Sequence, residues 1–439
     1  MLIKSQTFKL NLSQRQVNVF NDHLYRLSLL YNHLLSIQID KFNNNDNNNN
    51  QKLLSRFKLD KLITNIPYLQ KIHGHLKQDC SKRIALAFDA FFRKLKEGKS
   101  GKAAGFPRFK NLNRYKSFCF KQPGNGFKLL FSNNNNNEDV FKKINLTYFG
   151  KIAVFGEFSF PKDAKILTLT CSKKATGYYA EITYSYKNQT TVTPKDQPLF
   201  PHSNIKNKLI KTTIGVDVGI KDFITTSDGD KINCKALEAN FNKVKELQRK
   251  LKHKENVLKK NNKRFENTEK AKEHKLPKDS RTYRNLQTKL AKQHEKLANV
   301  RKDFVHKTAS YLVNNYNEVH CEDLNTQAII DKGFSKDIRR RINSAAWSKF
   351  FSFLKYKAEN AGILFSQVDP RYTSQICSEC KAISPKDLSV RVHKCSECKI
   401  EMCRDLNASK NILLLGLDPK ALSVPKARLE KLSKAKSSL

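Results

Sequence analysis

The N-terminal third of the chain alternates between a strand pattern and helical patterns. Residues 2–10 predict a short strand, and Ser13 with Gln16 forms a capping-box pair that predicts the start of a helix. Apolar residues at helical spacing mark the core-facing side of that helix: Val17, Phe20, Leu24, Leu27, Tyr31 and Leu34. A second helix is predicted over 81–96. Its apolar face is formed by Ile84, Phe88, Phe91 and Leu95.

The middle of the chain changes to short apolar runs separated by turn residues. Residues 139–186 are rich in β-branched and aromatic side chains and predict several strands of a small barrel or sheet. Asn-rich runs at 43–50 and 133–137 are polar and of low complexity, which predicts disordered loop expansions. A Pro-, Asn- and Lys-rich stretch at 189–208 predicts a domain boundary.

The C-terminal half begins with a predicted strand, TTIGVDVG, and a hairpin through Ser227, Asp228 and Gly229. A long basic helical stretch follows and is broken near Pro277, which predicts an antiparallel helical hairpin. Its two seams are Val244, Leu247, Leu251 and Leu258, and Leu286, Leu290, Leu297, Val300 and Phe304. EVHCEDLN then predicts another buried strand, and DLNASKNILLL predicts a helix.

Length and charge limit the classes of protein that fit these elements. A chain of 439 residues predicts two or three compact units. Lys and Arg number 83 against 40 for Asp and Glu, and the net charge of +43 indicates a polyanionic partner. Ribosomal or membrane-surface proteins share such a charge, so motifs must decide. We find neither a signal-peptide pattern nor a membrane span, and expect an intracellular protein, nuclear if eukaryotic and otherwise cytoplasmic.

Four of the ten cysteines form two C-x-x-C pairs separated by 14 residues. This spacing predicts one structural Zn²⁺ ion held by Cys377, Cys380, Cys395 and Cys398. Four protein ligands leave no open position for a substrate. The other six cysteines are scattered among apolar neighbours and are predicted to be buried thiols: Cys80, Cys119, Cys171, Cys234, Cys321 and Cys403.

Three carboxylates lie at the ends of rigid elements. Asp217 is inside a strand, Glu322 ends the next predicted strand of the same region, and Asp405 opens a helix, where it could serve as the N-cap. Gly215 and Gly219 are expected to let other backbone approach closely. Each carboxylate alone has an ordinary structural explanation. Together they are the hard oxygen ligands that two Mg²⁺ ions, about 4 Å apart, need for phosphodiester hydrolysis.

A basic and aromatic segment over 99–120 is a candidate nucleic-acid contact. Its basic residues are interleaved with Phe106, Phe109, Tyr115, Phe118 and Phe120, a pattern suited to phosphate contact and base stacking. An ordinary basic turn leading into an amphipathic strand fits the pattern equally well. The expected contacts are Lys102, Arg108, Lys110, Arg114, Tyr115 and Lys116. The many lysines over 243–307 fit either a solvated helical face or a second nucleic-acid surface.

The order of the motifs resembles one family. GVDVGIKDF, CEDLN, VDPRYTSQICSEC, CSEC and RDLNASKNIL follow one another as in TnpB proteins, which are transposon-encoded RNA-guided nucleases related to the type V CRISPR effectors and to eukaryotic Fanzor proteins. LYNHLL, GFPRFK, YKSFCF and NSAAWSKFFSFLKYKAENAG extend the resemblance over most of the chain. Where many members have His and Asp before the final Arg-Asp pair, this chain has Met402 and Cys403.

The resemblance implies a fold of α/β and α+β parts and a guided nuclease activity. A C-terminal RNase-H-like RuvC domain with an inserted four-cysteine zinc ribbon would follow an N-terminal wedge-like β domain with an inserted helical recognition lobe. The implied boundaries are 1–10 and 115–200 for the wedge-like domain, 11–114 for the recognition lobe, 209–370 and 404–418 for the RuvC-like domain, 371–403 for the ribbon, and 419–439 for a basic tail.

The family's catalytic triad falls on Asp217, Glu322 and Asp405, which implies a Mg²⁺- or Mn²⁺-dependent DNA endonuclease with two ions. Its expected partners are a guide RNA and double-stranded target DNA, with base pairing supplying the specificity. Two alternatives stay open at this point. One is a catalytically weak nucleic-acid-binding accessory protein, and the other is a transposase with a RuvC fold.

Overall fold

The chain divides into two units, Met1–Gln189 and Thr190–Leu439, as its length predicts. The computed structural model describes residues 2–43, 53–63, 66–111, 114–133, 139–187, 211–266, 280–331, 335, 339–340, 342, 345–387 and 390–422. The predicted boundary at 189–208, Pro277 and nearly all of both Asn-rich runs therefore lie outside the described residues. The basic tail is described only as far as residue 422.

The first unit is built around one sheet in the order β2-β7-β8-β1-β6-β5-β4-β3. Neighbouring strands are antiparallel, except that β3 and β4 are parallel. The strands are β1 (Leu2–Asn11), β2 (Ser117–Phe120), β3 (Gln122–Pro123), β4 (Gly126–Asn133), β5 (Asp139–Leu146), β6 (Gly150–Phe158), β7 (Lys165–Lys174) and β8 (Gly177–Tyr186). This confirms the predicted strands at 2–10 and over 139–186.

The helices of the first unit are α1 (Gln14–Asn43), α2 (Arg56–Lys61), α3 (Gly74–Lys96) and α4 (Gly101–Ala104), with a short 3-10 turn at Pro67–Leu69. Helices α1, α2 and α3 pack into the same hydrophobic core as the sheet, and α4 packs against α3. The capping box is confirmed, because the Ser13 N–H donates to Gln16 Oε1 (3.0 Å) and the Gln16 N–H donates to Ser13 Oγ (3.3 Å).

The second predicted helix is longer than its apolar pattern indicated. It begins at Gly74 rather than at 81, and the His73 side chain caps it by accepting from the His75 N–H. Ile84, Phe88 and Phe91 are buried as predicted, but Leu95 is 41% exposed. The prediction for Leu95 is wrong because the residue lies in the last turn of the helix, just before the C-cap.

The second unit contains a five-stranded sheet in the order β11-β10-β9-β12-β13. Strand β9 is antiparallel to β10 and parallel to β12, and β13 is parallel to β12. The strands are β9 (Lys211–Val218), β10 (Ile224–Thr226), β11 (Lys231–Ile232), β12 (Tyr316–Glu322) and β13 (Leu364–Val368), and a separate hairpin consists of β14 (Val392–Lys394) and β15 (Glu401–Cys403). The predicted strands at TTIGVDVG and EVHCEDLN and the hairpin around Asp228 are confirmed.

Helices of the second unit are α5 (Lys235–Glu266), α6 (Arg281–Asn315), α7 (Thr326–Asp331), α8 (Trp347–Ala361) and α9 (Arg404–Leu417). The predicted helical hairpin is confirmed, since α5 and α6 pack together and Gln293 Nε2 donates to Asn240 Oδ1 (2.9 Å). Val244, Leu297 and Phe304 in its seams are buried. Among the helices that the structure describes, none has the length and apolarity that crossing a membrane would need.

Candidate functional site

Strand register brings two of the three predicted carboxylates together. β9 and β12 are parallel neighbours, and their register pairs Gly215 with His320 and Val216 with Cys321. Asp217 and Glu322 are the next residues on the two strands. Side chains at paired positions of parallel neighbours project from the same face of the sheet. The two carboxylates therefore lie side by side.

Helix α9 supplies the third carboxylate because two glycines let it lie directly against the sheet. A Cβ atom on Gly215 would overlap the Ser409 carbonyl oxygen and would lie 2.6 Å from Leu413 N. A Cβ atom on Gly416 would overlap the His320 ring. Asp217 is two residues beyond Gly215 on the strand, and Asp405 is one helical turn before Ser409. The contact between Gly215 and α9 therefore places Asp405 near the end of β9.

Asp405 is held in the first turn of α9 by arginine. It lies at the second residue of the helix, and the N-cap is Cys403, which makes no side-chain capping bond. The N-cap role expected for Asp405 is therefore wrong. The Arg404 guanidinium instead donates to Asp405 Oδ1 from Nε (3.1 Å) and from a terminal nitrogen (2.9 Å), and Arg391 lies 3.9 Å from Oδ2.

Burial and mutual repulsion disfavour the ionised carboxylates. Glu322 is 8% exposed, and burial together with Asp405 raises its pKa to about 7, although a hydrogen bond from Thr373 opposes the rise. Asp217 keeps some exposed surface, but protein atoms surround its carboxyl group closely. This burial, with Glu322 and Asp405 nearby, raises the pKa of Asp217 well above its ordinary range. A bound cation would relieve this repulsion.

The donor set fits divalent metal ions that prefer oxygen ligands. The three carboxylates are not among the described groups whose ligand atoms all lie within 4.8 Å of one another. Carboxylates that share two ions about 4 Å apart need not lie that close to one another.

The sequence did not single out three polar residues of this region. Thr373 Oγ1 donates to Glu322 Oε1 (2.6 Å), and the buried side chains of Asn407 and Asn411 bind carbonyl oxygens of the segment that carries Thr373. The signal available in the sequence was the i, i+4 spacing of two Asn residues, which places both on one face of the helix.

The four cysteines of the two C-x-x-C pairs converge as predicted. Their Sγ atoms all lie within 4.8 Å of one another, with 3.7 Å between Cys377 and Cys398 and 3.5 Å between Cys380 and Cys395. A tetrahedral Zn²⁺ with Zn–S bonds of about 2.3 Å places its sulfurs about 3.8 Å apart, whereas a disulfide requires about 2.05 Å. The cluster therefore fits zinc.

Both cysteine pairs have the same backbone shape. Lys381 and Lys399, each directly after the second cysteine of a pair, adopt left-handed φ values of 63° and 59°. The Cys377 and Cys395 N–H groups donate to Ala382 and Ile400, respectively. Although burial opposes the effect, backbone hydrogen bonds from residues 397 and 398 lower the pKa of Cys395 to about 6, which favours the thiolate that binds metal.

The other cysteines follow the prediction in part. Cys80, Cys171 and Cys321 are buried free thiols, whereas Cys119, Cys234 and Cys403 are partly exposed. Burial raises the pKa of Cys80 to about 12. Such a thiol is protonated and unreactive near neutral pH.

The basic and aromatic segment is divided between surface and core. Arg108, Arg114 and Lys116 are exposed, and Lys110 Nζ lies over the Tyr31 ring at 4.2 Å; the Lys102 side chain lies outside the described residues. Tyr115 is 2% exposed, and its hydroxyl contacts Cys80 Sγ at 3.1 Å. Base stacking by Tyr115 is therefore incompatible with this packing.

The remaining rings of the segment show the same division. Phe118 and Phe120 are completely buried, as inward positions of the amphipathic strand β2, while Phe109 is 57% exposed. Each of the two predictions for this segment, a nucleic-acid contact and a basic turn leading into an amphipathic strand, therefore fits one part of it. Its first half presents cations and one ring to solvent, and its second half is a core strand.

A second cationic surface lies on the helical hairpin. An open groove of 590 Å³ is lined by Lys245, Gln248, Arg249, Lys252, His253, Asn256 and Arg340. Two further lysines of α5 form ion pairs along the helix, Lys250 with Glu246 (2.5 Å) and Lys259 with Glu255 (2.9 Å). Among the described residues that line it, the groove has several cations and no carboxylate, which suits phosphate oxygens.

Two family models match the second unit, and the first of them begins at the end of β8 in the first unit. Residues 184–332 match a family described as "Probable transposase", and residues 347–412 match the "Cas12f1-like, TNB domain". The first range includes Asp217 and Glu322, and the second includes Asp405 and the four cysteines. The two matches therefore contain every residue of the carboxylate and cysteine sites.

Individual curated proteins are also similar to this chain. The chain is 25% identical over 280 residues to "TnpB-like protein L79" of Acanthamoeba polyphaga mimivirus, covering 62% of this chain and 49% of that protein. The chain is therefore similar to TnpB-like proteins and, over residues 347–412, to a Cas12f1-like domain. It is also 29% identical over 207 residues to a "Putative RNA-guided DNA endonuclease" of Streptomyces pristinaespiralis, covering 46% and 45% of the two chains.

The chain spans about half the length of these curated relatives. Its fold is also similar to that of a solved structure, the cryo-EM structure of the Cas12f1–sgRNA–target DNA complex. The TM-score is 0.52 at 15% identity, with 91% of this chain and 83% of that chain covered. This likeness shows a shared mixed α/β architecture with several sheets.

Proposed function

We propose that this protein is an RNA-guided DNA endonuclease of the TnpB family, encoded by a transposable element. Asp217, Glu322 and Asp405 would hold the divalent metal ions. The observation that carries the proposal is the convergence of these three carboxylates at the end of β9, where crowding and burial raise the pKa of two of them. Nuclease sites bring acids together in this way to bind cations.

The architecture of the second unit supports an RNase-H-like domain of the RuvC type. Three antiparallel strands, β11, β10 and β9, continue into two parallel strands, β12 and β13. The carboxylates lie on two central strands and on the helix that crosses them. The cysteine hairpin falls between β13 and α9 in the chain, which supports an inserted zinc ribbon at 371–403. The other domain boundaries implied by the resemblance remain part of this proposal.

Each residue of the site has a defined task in this mechanism. Asp217, Glu322 and Asp405 would hold Mg²⁺ or Mn²⁺, which when bound would supply an activated water and stabilise the leaving oxygen of the phosphodiester. Arg404 orients Asp405 through two hydrogen bonds to one oxygen, and Thr373 orients Glu322. Zinc at the four cysteines has a structural role, because its four protein ligands leave no open position.

Charge supports nucleic acid as the partner on both units. The net charge of +43 exceeds what solubility needs. Arg108, Arg114 and Lys116 present cations on the first unit, and the groove of α5 presents them on the second. A guide RNA paired with target DNA would use such surfaces through the phosphate backbone, while base pairing supplies sequence specificity. The name of the Streptomyces pristinaespiralis relative supports the same partners.

This function is tested by identifying the RNA that the protein binds and by changing the guide portion of that RNA. Purification at moderate salt from cells that carry the native locus should yield a discrete RNA, which sequencing identifies. Replacing only the guide portion of that RNA should redirect cleavage to the newly matching DNA, because pairing and not side chains would carry the sequence. A preparation freed of RNA that still cuts one specific sequence would refute the guided mechanism and leave a metal-dependent nuclease.

A further inference from the structure

A buried hydroxyl contacts the carboxylate site from the side of the cysteine cluster. Thr373 is 3% exposed, and its Oγ1 lies 2.6 Å from Glu322 Oε1. This distance is typical of a hydroxyl that donates to an ionised carboxylate. The preceding residue, Tyr372, has a left-handed φ of 65°, which bulky side chains rarely adopt. The turn is therefore held in a strained shape that directs Thr373 at Glu322.

Two buried amides of α9 hold this turn. Asn411 Nδ2 donates to the carbonyl oxygens of Thr373 (2.8 Å) and Ile376 (2.7 Å). Asn407, one helical turn earlier, donates to the Ile376 carbonyl (2.7 Å) and accepts from the Ser378 N–H (2.9 Å). Both side chains are completely buried, where an amide is costly unless it is hydrogen-bonded. These contacts therefore fix the turn against the helix.

The turn and the helix connect the two metal-binding clusters. Ser378 lies inside the first C-x-x-C pair, directly after Cys377, and Asn407 lies two residues after Asp405. The cysteine cluster is thus hydrogen-bonded to helix α9, which carries Asp405. Thr373 lies in the turn that α9 holds, and it contacts a second carboxylate, Glu322. No other hydrogen bond to the Glu322 carboxylate is found among the described residues.

We infer that Thr373 is a positioning residue that orients Glu322 for metal binding, and that Asn407 and Asn411 link this orientation to the cysteine cluster. The inference rests on the proposed metal-dependent function. Groups that hydrogen-bond a metal ligand restrict its orientation, and their loss typically weakens metal binding about tenfold or more. The Thr373 hydroxyl should therefore affect the metal affinity of the site more than the stability of the fold.

The experiment measures Mn²⁺ binding directly, by the electron paramagnetic resonance signal of free Mn²⁺ in solutions of the purified protein with its bound RNA. The Asp217→Ala variant gives the background from sites elsewhere. Thr373→Val, which removes the hydroxyl at nearly constant shape, should weaken the Asp217-dependent binding about tenfold. Thr373→Ser, which keeps the hydroxyl, should bind within about twofold of the wild type.

Thr308→Val is the matched control. Thr308 is also completely buried, and its Oγ1 bonds the Phe304 carbonyl oxygen (3.0 Å) within α6. This variant loses a buried hydroxyl whose hydrogen bond goes to a helix carbonyl and not to a carboxylate, so its Mn²⁺ affinity should be unchanged. Thermal unfolding of each variant shows whether its fold is intact.

The outcomes separate this inference from the proposed function. Wild-type Mn²⁺ affinity in Thr373→Val would overturn the positioning role while leaving the metal site in place. Equal losses in Thr373→Val and Thr373→Ser would also overturn it, since packing and not the hydroxyl would then matter. If wild type and Asp217→Ala bind Mn²⁺ alike, the metal site of the proposed function is itself wrong.

Discussion

The carbonyl oxygen of Ser409 occupies the space where a side chain of Gly215 would begin. Helix α9 and strand β9 are therefore in direct backbone contact, and the position of Asp405 relative to Asp217 depends on that contact. A larger residue at position 215 would push the helix outward and separate the carboxylates.

We predict that Gly215→Ala destabilises the protein by about 1–3 kcal/mol, the usual cost of overpacking a core, and abolishes cleavage. Urea unfolding and a DNA cleavage assay measure the two effects. Gly74→Ala is the control, because a Cβ atom there meets nothing within 4 Å and the residue begins a helix. Equal stability and activity of Gly215→Ala and the wild type would show that α9 does not lie against β9 in this way.

The carboxylate site should make the metal-free protein less stable as pH rises. Burial raises the Glu322 pKa from its ordinary 4.5 to about 7. Between these values the folded state keeps a proton that the unfolded chain releases, so the free energy of unfolding falls with rising pH. Removing one negative charge from the site should relieve this loss.

Accordingly, Asp217→Asn should be more stable than the wild type at pH 8 without Mg²⁺ or Mn²⁺, by about 1–3 kcal/mol, and the difference should shrink at pH 5. Urea unfolding at both pH values measures this. Asp222→Asn is the control, because Asp222 already pairs with Asn233 (2.5 Å) and lies near Lys231 (3.9 Å). A metal-free Asp217→Asn variant less stable than wild type at pH 8 would contradict the electrostatic account.

The sequence predicted the elements of the site well, because strand and helix patterns depend on local periodicity. Asp217, Glu322 and Asp405 were recognisable as carboxylates at the ends of predicted elements. Their proximity depends on the register of β12 against β9 and on the glycine contact with α9. Register and crossing contacts are long-range features, which one sequence specifies only indirectly.

Polar residues were harder to assign. Thr373 and Asn411 lie in stretches that predict an ordinary loop and an ordinary helix, and their burial and hydrogen bonds in the structure show their roles. Tyr115 was placed with the surface cations around it, although its ring is buried just before β2 and its hydroxyl contacts Cys80 Sγ. Its burial depends on a contact with a residue 35 positions earlier in the chain, which a basic neighbourhood in the sequence does not predict.

Zinc should be structural and should influence the carboxylate site. Metal analysis of the purified protein should find about one zinc per chain, as one four-cysteine cluster requires. Cys377→Ser should lose the zinc, lower the unfolding temperature and weaken Mn²⁺ binding, because Ile376 and Ser378 connect the cluster to α9. Cys234→Ser, outside the cluster, should keep its zinc. A folded and active sample without zinc would refute this role.

DNA cleavage by carboxylate variants tests the central claim most directly. Asp217→Ala and Glu322→Ala, each carrying the RNA bound by wild type, should bind matching DNA but cut it at least about a thousandfold more slowly, since the metal ions lose a ligand. Glu318→Gln, on the same strand as Glu322 and partly exposed, should cut at the wild-type rate. Cleavage at the wild-type rate by Asp217→Ala or Glu322→Ala would contradict the assignment of the active site.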